Sequence, residues 1–288
     1  MNNRLLTILL IVSSLTAYSQ TNQGLYFGGN VGMNFLTYSI EGGSSKPKLS
    51  YGGNLGYVYY FSPSWGIGTG VGAYLCTTDG HLDGAIISIE NRIDDEGDMH
   101  RADLYFRDWH EIQKFLLVEI PILLHYQYDF GLRKRNIMYL RMGVKVQLPM
   151  MATYDANGQI EEQRFYPEWR VPMFGMSNHG MGTEQKKASG NLNLPPINIA
   201  ASFGIGFAFE VSKIIDIYVG GSFEYGFLNM KSGDNGDLLY LDGNQSLQYR
   251  GILFSSITEK AHLVSAQGEI GMRVAIGKPF SRGGIRRR

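Results

Sequence analysis

Eight stretches of this sequence alternate strictly between a charge-free apolar face and a face of glycines and polar groups. The clearest runs from Leu116 to Tyr128, where Leu116, Val118, Ile120, Ile122, Leu124, Tyr126 and Tyr128 share one parity. Between them stand Leu117, Glu119, Pro121, Leu123, His125 and Gln127. Successive side chains of a strand point to opposite faces, so a period of two reads as a strand with one oily side. The next stretch repeats it, with Met138, Leu140, Met142, Val144, Val146 and Leu148 facing one way and Tyr139, Arg141, Gly143, Lys145 and Gln147 the other. The remaining six are Leu25 to Phe35, Tyr51 to Phe61, Trp65 to Leu75, Ile197 to Phe209, Ile215 to Phe227 and Val264 to Ile276. No Asp, Glu, Lys or Arg lies on an apolar face in any of them. A lipid-facing charge costs about 2–4 kcal/mol at the bilayer midplane, and each stretch suits the roughly 9–11 tilted residues that cross one. A soluble calycin-like barrel would carry the reverse pattern, apolar within and polar without. The expectation is therefore all-β: an eight-stranded antiparallel up-and-down transmembrane β-barrel with long extracellular loops.

Met1 to Arg4 forms a short positive start, Leu5 to Leu15 an apolar run too short to span, and Ala17-Tyr18-Ser19 a small-residue cleavage pattern. Residues 1–19 are read as a signal peptide cut before Gln20, residues 20–280 as the barrel, and residues 281–288 as a basic periplasmic tail containing Arg282 and Arg286 to Arg288. Beyond the signal no apolar run reaches the length of a helical span, while 37 Gly and 18 Tyr suit curved strands that meet membrane interfaces. A formal net charge of zero argues against a nucleic-acid partner, leaving outer-membrane lipid and other envelope proteins. The single Cys76 cannot form an internal disulfide and is expected as an inert thiol.

Short connections at Ser62 to Ser64, Gly131 to Arg135 and Val211 to Ile214 alternate with long ones at Thr37 to Pro47, Thr77 to Gln113, Met150 to Pro196 and Lys231 to Ala261. In outer-membrane barrels the short turns are periplasmic, which places both termini there. Aromatics mark a periplasmic rim at Tyr57, Tyr59, Phe61, Trp65, Tyr126, Tyr128, Phe207 and Phe209, and an outer rim at Phe35, Tyr225 and Phe227. Ala85 to Asn91 and Ala102 to Asp108 also alternate, and Leu238 to Leu241 precede Asp242-Gly243, so strands are expected to continue past the membrane as a raised wall. The acidic stretch Asp94-Asp95-Glu96-Gly97-Asp98 lacks EF-hand spacing and reads as a solvated turn.

A barrel of eight strands has an interior that side chains fill. The charged candidates for that filling are Glu119, Arg141, Lys145, Glu224, Glu269 and Arg273. With the turn at Gly131 to Arg135 as pivot, Glu119 falls opposite Lys145, and Glu119, Lys145, Glu224 and Glu269 all come near mid-membrane. Buried charges need partners, so the reading is a salt-bridge network that plugs the lumen, with an ion path as the alternative.

Catalytic, cofactor and metal sites are not expected. His81, His100 and His110 share one loop with several acids but lack local metal-ligand spacing, and His125 stands alone in the lumen. The glycines of Gly66-Ile67-Gly68-Thr69-Gly70-Val71-Gly72 alternate along a strand instead of preceding a helix, so they make room for bulky neighbours.

Phe115-Leu116-Leu117-Val118-Glu119-Ile120-Pro121-Ile122-Leu123-Leu124-His125-Tyr126 resembles the strand signature of the PorT-like outer-membrane β-barrel family. Ser64 to Gly72 is similar to the third strand of those barrels and of OmpA-type N-terminal barrels. The resemblance, spanning roughly Gly24 to Phe280, implies an envelope protein of gliding or gut-type Gram-negative bacteria and brings no catalytic residues. An OmpA-type protein would continue into a peptidoglycan-binding domain, so wall anchoring is not carried over. The usual terminal aromatic signal would have to be Phe280, set back from the end. Three functions stay open: a non-enzymatic structural or surface-recognition barrel, an accessory of protein secretion, and a small channel or outer-membrane enzyme.

Overall fold

The computed structural model describes residues 23–94, 96–131, 136–176, 181–231, 236–241 and 247–276. The signal segment, Phe280, the basic tail and Asp242-Gly243 lie outside the described residues. The strands are β1 (Gln23–Ile40), β2 (Gly43–Pro47), β3 (Leu49–Tyr60), β4 (Trp65–Leu82), β5 (Ile86–Ile93), β6 (Met99–Phe130), β7 (Asn136–Tyr166), β8 (Val171–Met173), β9 (Thr183–Asn191), β10 (Asn198–Glu210), β11 (Ile215–Gly226), β12 (Leu239–Leu241), β13 (Leu247–Tyr249) and β14 (Thr258–Ile276), with a 3-10 turn at Ile252–Phe254.

Eight of them close a ring. β1 pairs with β3, then β4, β6, β7, β10, β11 and β14 follow, and β14 returns to β1, every pair antiparallel. The closing register runs from Gln23 opposite Ile276 to Ile40 opposite Thr258, so no edge of the ring is left unpaired. Each alternating stretch of the sequence lies in one ring strand, to within a residue at either end. The short turns close on serines: Ser62 Oγ accepts the Trp65 N–H at 2.9 Å, and Ser212 Oγ accepts the Ile215 N–H at 3.2 Å.

The predicted faces are the observed ones. Ile122 is 51% exposed on the outside, whereas Glu119 is 1% exposed on the inside. Phe27, Val31, Leu55, Ile67, Val71, Val144, Phe203, Ile205, Val219 and Ile270 continue the outer belt. An apolar exterior that encircles the ring is far larger than a water-soluble monomer exposes, and hydrocarbon is the solvent that removes its penalty. At the rim of the short turns, the Trp65 and Tyr126 rings face each other across β4 and β6 with centroids 4.9 Å apart.

Beyond the belt, at the end opposite the short turns, strands continue past the membrane as expected, and over more of the chain than the alternating segments marked. The segments Thr77 to Gln113 and Met150 to Pro196 are largely strand. β4 runs on to Leu82, and β6 and β7 pair from Phe130 opposite Asn136 to Arg101 opposite Phe165. The 32 residues of β6 give about 105 Å of strand at ~3.3 Å per residue, whereas crossing a ~25 Å apolar band at ~40° uses about 33 Å. The rest is a raised wall, widened by β2 on β4, β5 on β6, and β8 and β9 on β7. The expected pairing of Ala85 to Asn91 with Ala102 to Asp108 is present, with Ile86 opposite Tyr105. β12 pairs antiparallel with β13, Leu241 opposite Leu247.

In the wall the pattern inverts. Leu36, Leu82, Leu104, Phe106, Trp109 and Phe115 point inward and are buried, with polar groups outside, as in a soluble β-protein. The described part of the long outer connection between β11 and β14 packs into this space. Leu238, Ile252 and Leu253 are each 0% exposed and cap the barrel mouth, joined by Met230 just before them.

Candidate functional site

The lumen carries its polar groups in three layers. Along β7 and β14, strand alternation brings Lys145 and then Arg141, Glu269 and then Arg273, onto the inner face. In the layer nearest the mouth, Lys145 donates to Glu119 Oε2 at 2.8 Å and also contacts Glu224. The Gln147 amide donates to Glu119 Oε1 at 2.7 Å and to Glu224 Oε2 at 3.1 Å, and Asn198 donates to Gln147 Oε1 at 2.7 Å. In the next layer Arg141 pairs with Glu269, whose Oε1 also accepts the Tyr139 hydroxyl at 2.8 Å. Nearest the short turns, Arg273 Nε donates to Asp216 Oδ2 at 2.8 Å and its Nη1 to Gln127 Oε1 at 3.1 Å.

All six charged residues expected in the lumen are placed there, with one difference. Glu119 stands opposite Gln147, and Lys145 opposite Pro121, two positions along from the expected pairing, although the register is centred on the expected turn. The Lys145 side chain reaches Glu119 diagonally. Of the four charged groups expected near mid-membrane, Glu119, Lys145 and Glu224 meet in one layer, and Glu269 pairs with Arg141 in the next. Asp216 is the partner that sequence reading left out. Its parity in the stretch from Ile215 was the available signal, because even positions there face inward.

Aromatic rings fill the gaps. Tyr26 and Tyr60 share a hydrogen bond of 2.9 Å, and Tyr26 and Tyr139 each pack edge-on against Tyr218. Glycines make that possible: a Cβ on Gly68 would sit 2.6 Å from His125 Nε2, and one on Gly220 2.4 Å from the Tyr139 hydroxyl oxygen. The cavity left among these residues is about 70 Å³, room for a few waters. His125 is 5% exposed and packed against Tyr26, a ring among rings. Cys76 is 1% exposed, at the wall end of the lumen.

Above the layers, the capped mouth holds one fully buried carboxylate, Glu111. Tyr249 donates to its Oε2 at 2.6 Å, the Ile252 N–H at 2.9 Å, and Gln113 to its Oε1 at 2.7 Å. Burial nevertheless raises its carboxyl above the ordinary range, the three hydrogen bonds offsetting only part of the desolvation. Glu111 thus ties the cap, through Tyr249 and the 3-10 turn, to the wall. In the acidic turn, the Asp94 carboxylate is occupied by backbone N–H groups of Glu96 and Asp98 and by the Tyr166 hydroxyl, an internal role that matches a plain turn.

No protein-family model matches the chain, and no curated protein matches it. Solved structures similar to it include neisserial surface protein A, with 9% identity and a TM-score of 0.34 over 87% of this chain and 96% of that one. The outer membrane protein OprG of Pseudomonas aeruginosa has 10% identity and a TM-score of 0.38 over 91% and 99%. The attachment invasion locus protein Ail of Yersinia pestis has 12% identity and a TM-score of 0.25 over 88% and 99%. The barrel itself rests on the closed ring of strand pairs and the apolar belt, not on these likenesses.

Proposed function

We propose that the protein is a non-enzymatic outer-membrane barrel with periplasmic termini, closed to ions and solutes, whose structural or surface-recognition role is carried by the wall facing the exterior. The observation that carries this reading is the double closure of the interior. Ion-paired layers from Glu119 to Arg273 fill the membrane section, and the apolar cap of Met230, Leu238, Ile252 and Leu253 fills the mouth. The tip of the wall supports recognition, because Ile93, Met99, Trp169, Val171, Phe174 and Met176 are all exposed there, beyond the lipid belt.

A second reading, an accessory of protein secretion, rests on the PorT-like signature from Phe115 to Tyr126. Quantitative mass spectrometry of the secreted and surface proteome of a strain lacking the chain separates the two. The leading reading predicts intact export, with whole-cell binding changed by polar substitutions at Trp169 and Phe174. Accumulation of exported proteins in the periplasm would replace it with the secretion reading.

A further inference from the structure

We infer that the outer face of the wall carries a binding site for a divalent transition-metal ion, best suited to zinc, built from His81, His110 and Asp108. The histidines are far apart in sequence but are direct partners across the β4–β6 ladder. Asp79 and His81 on β4, and His110 on β6, share the outward face of the wall, their rings 4.5 Å apart. Asp108 joins them through a bulge. The β6–β7 register slips between Arg107 and His110, and Asp108 takes a φ of 45° in the left-handed region that Asp tolerates better than most residues. Gly158 on β7 makes the bulge possible, since a Cβ there would lie 2.5 Å from Trp109 Cα and 2.8 Å from the Asp108 carbonyl oxygen.

The donor geometry fits a tetrahedral ion. Nε2 of His81 and Nε2 of His110 lie 3.4 and 3.2 Å from the same Asp108 oxygen, Oδ1. Ligands bound to zinc at about 2.0–2.2 Å in a tetrahedron stand roughly 3.3–3.5 Å from one another. One ligand atom from each of the three residues lies within 4.8 Å of the others. Two imidazoles and one carboxylate leave a fourth position, and the 84% exposed Asp108 side chain keeps that side open to water. Imidazole-rich sites favour zinc, copper or nickel over the hard ions calcium and magnesium.

The surroundings orient the ligand. The other ring nitrogen of His110, Nδ1, lies 3.1 Å from Asp79 Oδ1, and Asp79 is itself nearly buried and held by Lys48 at 3.3 Å. This is the carboxylate–histidine arrangement that outer-shell partners provide at metal sites. With the Nδ1 proton given to Asp79, the Nε2 lone pair of a neutral His110 points at a carboxylate oxygen. Something positive must stand between them, and a metal ion satisfies His81, His110 and Asp108 together.

The test is calorimetric titration of untagged, chelator-treated, full-length protein in detergent with zinc chloride alone. The expected result is one saturable site per chain, weakened at least tenfold by His81→Ala, by His110→Ala and by Asp108→Asn. Asp79→Asn, which removes the orienting partner, should weaken it about 10- to 100-fold without abolishing it. Heat-modified gel mobility confirms that each variant keeps its barrel, and if a histidine variant does not fold, Asp108→Asn carries the comparison. A tetrahedral cobalt spectrum in wild type that is lost in His110→Ala would support the same site. Absence of stoichiometric binding, or equal binding by all folded variants, would overturn the inference.

Discussion

Lys145 sits between Glu119 and Glu224 with almost no access to water, so removing its charge would strand two carboxylates in the barrel interior. Breaking a buried pair from one side typically costs about 3–5 kcal/mol, far more than the pair contributes over an apolar replacement. Lys145→Met is therefore predicted to lower the urea midpoint of the folded band in heat-modifiability gels by that order. Adding Glu119→Gln and Glu224→Gln should recover most of the loss, and a single variant indistinguishable from wild type would show that the layer does not hold the barrel. Glu111 makes a different prediction. Its folded carboxyl is raised, so the stability it contributes is fully present below the ordinary glutamate value of ~4.3 and is lost as pH rises through the raised one. Protection factors in the cap around Ile252, which divide out the intrinsic pH dependence of exchange, should fall over that rise, and Glu111→Gln should remove the fall. Residue parity made the six lumen charges legible in the sequence. Their partners were less so, because a cross-strand neighbour depends on an exact count from the turn, and a count short by two positions put Lys145 where Gln147 stands.

At the scale of elements, β4, β6 and β7 change solvent part-way along. Below Phe115 and Leu117 they show apolar groups to the outside. Above, Leu104, Phe106 and Trp109 turn inward and Arg101, Asp103 and Arg107 turn out. The bulge next to Asp108 re-phases the alternation within the wall, so that odd positions of β6 point inward up to Trp109 and even positions, Phe106 and Leu104, beyond it. Sequence reading caught the lipid-facing strands because hydrocarbon forbids charge on one face, a rule without exceptions. Within Thr77 to Gln113 it marked only Ala85 to Asn91 and Ala102 to Asp108 as strand, and within Met150 to Pro196 none, because water imposes no such rule and bulges break the period. The convergence of His81 with His110 was hidden for the same reason, since only the long β4–β6 register brings them together. Gly158→Val should collide with Trp109 and unseat the bulge. Proteinase K would then trim the wall of this variant faster than that of wild type, while the membrane-protected fragment stays the same size.

The whole molecule is a membrane barrel with a small soluble-type β-domain grown from its rim, and the two are closed by opposite means. Polar layers seal the part that lipid surrounds, and apolar packing seals the part that water surrounds. Either closure alone leaves little room for an ion, and together they support the proposal that function lies on the outer surface. Conductance across a planar lipid bilayer tests that claim most directly. Purified protein inserted under an applied voltage should give no steady single-channel current, and neither should protein whose cap is loosened by Leu253→Asp, because the layers of Lys145, Arg141 and Arg273 remain. Regular ohmic steps from the wild-type protein would contradict the account and make the lumen a conducting path.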